Sequence, residues 1–140
     1  MSKREQHGIL TFRVYPEGRR WHYDVYVWPT VASMREYVRP HAADWRSVIA
    51  CVLWPVNSSD RPRRYCLGEV HFSRRHLGPD TISHEATHAA LQWARKTGLV
   101  IDSAADATET DPDEERLCEA IGTITHQIQA VLQEHKILTQ

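Results

Sequence analysis

Apolar and polar residues alternate along the first part of the chain. Residues 9–15 (ILTFRVY) and 22–28 (HYDVYVW) carry the period of two that marks half-buried strands. The intervening PEGRR holds Pro16 and Gly18, so the two segments predict a hairpin. Residues 31–38 (VASMREYV) switch to helical spacing, which Pro40 ends. Residues 48–54 (VIACVLW) are apolar without a break and rich in β-branched side chains, the pattern of a buried strand. A polar loop at 57–64 then leads into a further strand at 65–73 (YCLGEVHFS).

The second half changes period. Gly78-Pro79-Asp80 opens a helix that continues through 81–96 (TISHEATHAALQWARK), and Gly98 stands where a C-terminal cap is needed. An acidic, small-residue connector at 99–110 precedes a second long helix. Asp111 suits its N-cap, Pro112 its first turn and Glu114 the reciprocal position of a capping box. Leu117, Ile121, Ile124, Ile128, Val131 and Leu132 give it one apolar stripe. No repeat or linker interrupts this order. The expectation is a single α+β domain over residues 1–140, with a short, mostly antiparallel sheet followed by two packed helices.

Composition narrows the class. With 140 residues, 41% hydrophobic and 25% charged, the chain can bury a core and is neither disordered nor low-complexity. No apolar run approaches the roughly 18 residues of a membrane span, so no membrane partner is expected. The N-terminal MSKREQHGIL lacks an apolar leader region. Three cysteines, Cys51, Cys66 and Cys118, fit no disulfide framework or CxxC knuckle and point to a reducing, cytoplasmic setting. A net charge of −1 argues against a nucleic-acid partner. The arginine clusters, Arg19–Arg20, Arg61/Arg63/Arg64 and Arg74–Arg75, are expected to be solvated surface. The five tryptophans are expected in the core or in a groove wall. Nothing in the sequence speaks to oligomeric state.

The segment that carries chemistry is His84-Glu85-Ala86-Thr87-His88, an HExxH. Positions i and i+4 of a helix share a face about 6 Å apart, so both imidazoles can reach one metal ion, zinc being the usual choice. Glu85 lies roughly 100° around the helix, where a carboxylate can reach the metal's water without becoming a ligand. By chance such a pattern is expected about 0.04 times in a chain of this composition, so the bare match does not decide alone. Its context adds weight: the motif follows a strand and a capped helix start. Ala86, Ala89, Ala90 and Trp93 form the apolar face, leaving the histidines off the core.

Catalytic zinc needs a third protein ligand and one open position. The HExxHxxGxxH extension is absent, since Leu91-Gln92-Trp93-Ala94-Arg95 occupies that stretch. The acidic start of the second helix offers Asp113, Glu114, Glu115 and Glu119. Glu115 is favoured, because Cys118 and Gly122 lie one and two turns beyond it and are small enough to let the helices approach. Glu114 and Glu119 remain alternatives. His126 stands about 16 Å further along that helix than Glu115 and is excluded from direct coordination. Cys118 is expected to be a small packing residue. For an oxyanion donor the candidates are Tyr65, His71, Arg75 and His76, and strand 65–73 is expected to run beside the site.

HEATH followed by a glutamate on the next helix resembles the gluzincin pattern. Glu115-Arg-Leu-Cys118-Glu-Ala-Ile-Gly122 is similar to the E-x-x-[A/C]-x-x-x-[A/G] helix of the small ImmA/IrrE-type metallopeptidases, a likeness covering residues 65–132. The resemblance implies a zincin-like fold, His84, His88 and Glu115 as zinc ligands, Glu85 as catalytic base, and a peptide or protein substrate. Thr125-His126-Gln127 replaces the family's apolar L-L-M-P, and no helix-turn-helix is expected within these 140 residues. The regulatory substrates of that family are therefore not carried over. The alternative is a non-catalytic zinc-binding regulatory or interaction module of the same fold.

Overall fold

The computed structural model describes residues 8–54, 64–101 and 111–138. Strand β1 (Leu10–Val14) pairs antiparallel with β2 (His22–Trp28), Leu10 opposite Val27 and Val14 opposite Tyr23, as the alternating pattern predicts. Helix α1 (Val31–Val38) starts at Thr30, whose hydroxyl accepts from the Ser33 N–H. Two short 3-10 turns, Arg39–His41 and Trp45–Ser47, lead to β3 (Ala50–Leu53), and β4 (Cys66–Ser73) follows. Most of the predicted loop at 57–64 and of the connector at 99–110 lies outside the described residues.

The sheet is mixed, in the order β1-β2-β4-β3. The two outer pairings are antiparallel, but β4 enters beside β2 and runs parallel to it. The chain leaves β2 through α1, reverses as β3 at the edge and reverses again as β4 between β2 and β3, and no periodicity within either strand reveals this. β4 is therefore interior, and β3 forms an edge. The apolar run at 48–54 predicted a buried strand, yet every residue of β3 is only half-buried. Its pattern is unbroken because both faces are partly covered. Ala50 and Val52 pack toward the large core, whereas Cys51 and Leu53 pack toward the α1 side.

Helices α2 (Pro79–Thr97) and α3 (Pro112–Glu134) cover the other face of the sheet. Tyr23, Val25, Val27, Val70 and Phe72 of the sheet meet Ile82, Ala86, Ala89, Ala90 and Trp93 of α2 and the Leu117, Ile124, Ile128 stripe of α3. The three alanines let α2 lie close to the sheet, and the Tyr23 hydroxyl donates to the Ala89 carbonyl at 2.7 Å. Gly98 closes α2 in the left-handed region (φ 78°), its N–H returning to the Ala94 and Arg95 carbonyls. At the start of α3 the Asp111 carboxylate accepts from the Asp113 N–H at 3.0 Å, and Glu114 is exposed. Arg116 makes a bidentate pair with Glu17 of the β1–β2 turn at 2.8 and 2.9 Å. Both side chains are exposed and solvent-screened, so the pair ties α3 to the β1–β2 turn more than it stabilises the fold. Among the described residues no helix is long and apolar enough to cross a membrane.

Between the sheet and α1 lies a buried polar group. His71 of β4 is fully buried, accepts from the Trp28 indole N–H at Nδ1 (2.9 Å) and meets Glu69 Oε1 through Nε2 (3.1 Å). Since Nδ1 accepts, Nε2 carries the proton and donates to the carboxylate. The Tyr37 hydroxyl donates to the same carboxylate at 3.1 Å, and Tyr26 stacks on the imidazole at 4.9 Å. Burial alone would raise the Glu69 pKa, but the bonds from His71, Tyr37 and Tyr26 outweigh it and hold the carboxyl below its ordinary range.

Candidate metal centre

The apolar face of α2 fixes which way its polar residues turn. With Ala86, Ala89, Ala90 and Trp93 set against the sheet, His84 and His88 emerge on the exposed side. Their Nε2 atoms lie 3.2 Å apart, with the rings steeply inclined at 74°. Two nitrogens on one tetrahedral zinc, each about 2.0–2.1 Å from it, would be about 3.3–3.4 Å apart. The pair thus fits a zinc ion as two ligands. Glu85 turns inward and is 6% exposed. Burial raises its pKa, partly offset by the adjacent His84.

All three residues line one cleft of about 710 Å³. It is also lined by the edge strand β3, by residues 41–44 and by Val48 and Trp54. Sequence reasoning expected residues 65–73 beside the site, but β4 is the interior strand and β3 is the one that faces the cleft. The expected oxyanion donors are placed elsewhere. His71 is held in the buried network with Glu69 and Trp28. His76 bonds to the Ser73 hydroxyl at 2.7 Å, and Tyr65 lies under the guanidinium groups of Arg20 and Arg64. Arg75 is exposed and, like these three, is not in the cleft wall.

Glu115 is exposed on the first turn of α3 and does not line the cleft. Among the described residues no group of three ligand atoms within 4.8 Å includes His84 and His88, so the structure brings two of the expected ligands together and leaves the third apart. The small-residue approach expected at Cys118 and Gly122 is not made. Cys118 is exposed, and a side chain added at Gly122 would meet nothing within 4 Å. The α2-facing residues of α3 are instead its apolar stripe. Of the alternatives, Glu114 and Glu119 are exposed, and Asp113 accepts from the Val100 N–H at 2.9 Å.

The chain matches no family model, no curated protein and no solved structure.

Sequence reasoning missed His41, Asp44 and Cys51 as cleft residues. The first two sit on or between 3-10 turns as single polar residues, with no spacing that ties them to the HExxH helix. Cys51 was hidden in an apolar run. Burial, reinforced by the carboxylates of Glu85, Asp44 and Glu69, pushes its thiol up to about 12, so it stays protonated and is a poor nucleophile at neutral pH. Of the five tryptophans, Trp28 and Trp93 are buried and Trp54 lines the cleft, whereas Trp21 and Trp45 are half-buried against the two core clusters.

Proposed function

We propose that this chain is a zincin-like, zinc-dependent metallopeptidase acting on extended peptide segments in a cytoplasmic setting. The observation that carries the reading is the convergence of His84 and His88 in a cleft that also holds the buried Glu85 carboxylate. Zinc bound there would polarise a scissile carbonyl and lower the pKa of a water toward 7.

The protein's own contribution follows from the cleft. Glu85, on the inner side of the motif, takes the proton of the attacking water and returns it to the leaving amine. Its neighbours Ala86 and Ala89 hold α2 against the sheet, so the carboxylate approaches from a fixed direction. β3 pairs with β4 along one side and faces the cleft along the other. An extended peptide can therefore add to it as a further strand, presenting a backbone amide to the histidines. Trp54 and Val48 supply apolar wall on either side of that strand.

Glu115 is the proposed third ligand, on the strength of the E-x-x-C motif. In the described arrangement it is outside the cleft, so joining the histidines requires a shift of the first turn of α3. That separation favours one second reading, a non-catalytic zinc module in which the two histidines act with a non-protein ligand. Hydrolysis of an unstructured protein such as casein, measured with zinc added, separates the two. The peptidase reading expects activity that Glu85→Gln lowers by about 10²–10⁴-fold while bound zinc is unchanged. No activity in the parent with zinc bound selects the module instead.

A further inference from the structure

A second group of ligating side chains lies away from the HExxH cleft. His22 is the first residue of β2 and Cys66 the first of β4, and they are register partners on the two central strands. Asp24 follows His22 by two positions and so shares its face. The register passes from His22 opposite Cys66 to Tyr23 opposite Gly68, which leaves Leu67 as an extra residue in β4. Such bulges redirect side chains and are enriched beside functional sites. Here Tyr23 and Leu67 enter the large core, and His22, Asp24 and Cys66 are gathered on the other side.

One ligand atom from each of the three lies within 4.8 Å of the other two. Cys66 Sγ is 3.8 Å from Asp24 Oδ2, and His22 Nε2 is 3.9 Å from Asp24 Oδ1. With zinc–ligand distances of about 2.0–2.3 Å, the edges of a tetrahedral site are about 3.3–3.5 Å, so the three side chains would draw inward from separations of up to 4.8 Å to share one ion. His22 is 5% and Asp24 8% exposed, which sets the group apart from an ordinary acidic surface cluster. The donors are a thiol, an imidazole and a carboxylate. That mixture suits zinc and excludes calcium and magnesium, which take oxygen ligands. Arg13 Nε lies 3.5 Å from Asp24 Oδ1. It can orient the carboxylate, as outer partners of metal ligands do, with Oδ2 facing Cys66 Sγ.

We propose that His22, Asp24 and Cys66 form a second zinc site, independent of the His84–His88 pair, that clips the starts of β2 and β4 together. The Cys66 thiolate gives it a signature that the proposed ligands His84, His88 and Glu115 lack, and the His84→Ala/His88→Ala variant separates it from Cys51 in that cleft. The test is a cobalt titration of the metal-free, reduced full-length chain, followed by thiolate-to-cobalt charge-transfer absorption in the near ultraviolet. The parent and a His84→Ala/His88→Ala variant both develop the band, and zinc abolishes it in each. Cys66→Ser loses it. Asp24→Asn keeps the thiol and the side-chain shape but needs at least about tenfold more cobalt to reach half its final absorption. Circular dichroism checks the fold of each variant, and Asp24→Asn alone decides if Cys66→Ser does not fold. No band in the parent, an undiminished band in Cys66→Ser, or an Asp24→Asn titration matching the parent overturns the proposal.

Discussion

Gly68 of β4 lies directly against the carbonyl of Leu53, the last residue of β3, so that any Cβ at position 68 would press into the Leu53 carbonyl oxygen. Leu53 lines the same cleft as His84 and His88, so the close approach bears on that wall. Gly68→Ala forces β3 outward, with an overpacking cost of about 1–3 kcal/mol. Thermal unfolding should show a melting temperature roughly 4–10 °C lower. An unchanged melting temperature would mean that β3 yields freely and does not form a fixed wall.

The Glu69–His71 bond makes a prediction about acid stability. The Glu69 carboxyl is held below its ordinary value of 4.5 in the folded protein, so at mildly acidic pH the unfolded chain binds more protons there than the folded one. The stability this supplies is complete above that ordinary value and is lost as pH falls through the lower, folded value. Glu69→Gln should destabilise by about 1–2 kcal/mol at neutral pH and flatten the acid limb of a stability–pH curve. Acid limbs that run parallel in parent and variant would remove Glu69 from the acid response.

Tyr23 holds the HExxH helix to the sheet through its bond to the Ala89 carbonyl, one residue beyond His88. Tyr23→Phe keeps the ring packed and deletes only the donor. The expected cost is about 1–2 kcal/mol in denaturant unfolding, because a buried carbonyl is left with one partner fewer. A change below about 0.3 kcal/mol would show that apolar packing alone seats the helix.

The third ligand is tested by two single variants on one helix. Glu115→Ala should weaken zinc binding at least about a hundredfold, whereas Glu119→Ala, one turn further along α3, should leave it unchanged. Competition with a chromogenic chelator reads both. Equal affinities in the parent and in Glu115→Ala would end the assignment of Glu115.

Local signals along the chain were legible. Gly98 is the left-handed cap that the end of α2 demands, and Asp111 caps α3 where Pro112 suggested it would. The hairpin of β1 and β2 followed from alternation, and the inward turn of Ala86, Ala89 and Ala90 from helical spacing. The parallel pairing of β2 with β4 was not legible, since it depends on where α1 carries the chain. Nor was the edge position of β3, whose unbroken apolar run reflects partial cover on both faces. At the site, the spacing of His84, Glu85 and His88 fixed their relation to one another within one helix. Glu115, His41 and Asp44 belong to other elements, and their distances from the motif depend on packing between those elements.

The most direct measurement is the zinc content of the full-length protein beside that of His84→Ala/His88→Ala, by elemental analysis after equilibration with zinc and removal of the excess. The variant should hold one equivalent less per chain than the parent, with an unchanged circular dichroism spectrum. Equal zinc content in two folded proteins would contradict the assignment, because the paired imidazoles of α2 would then hold no metal.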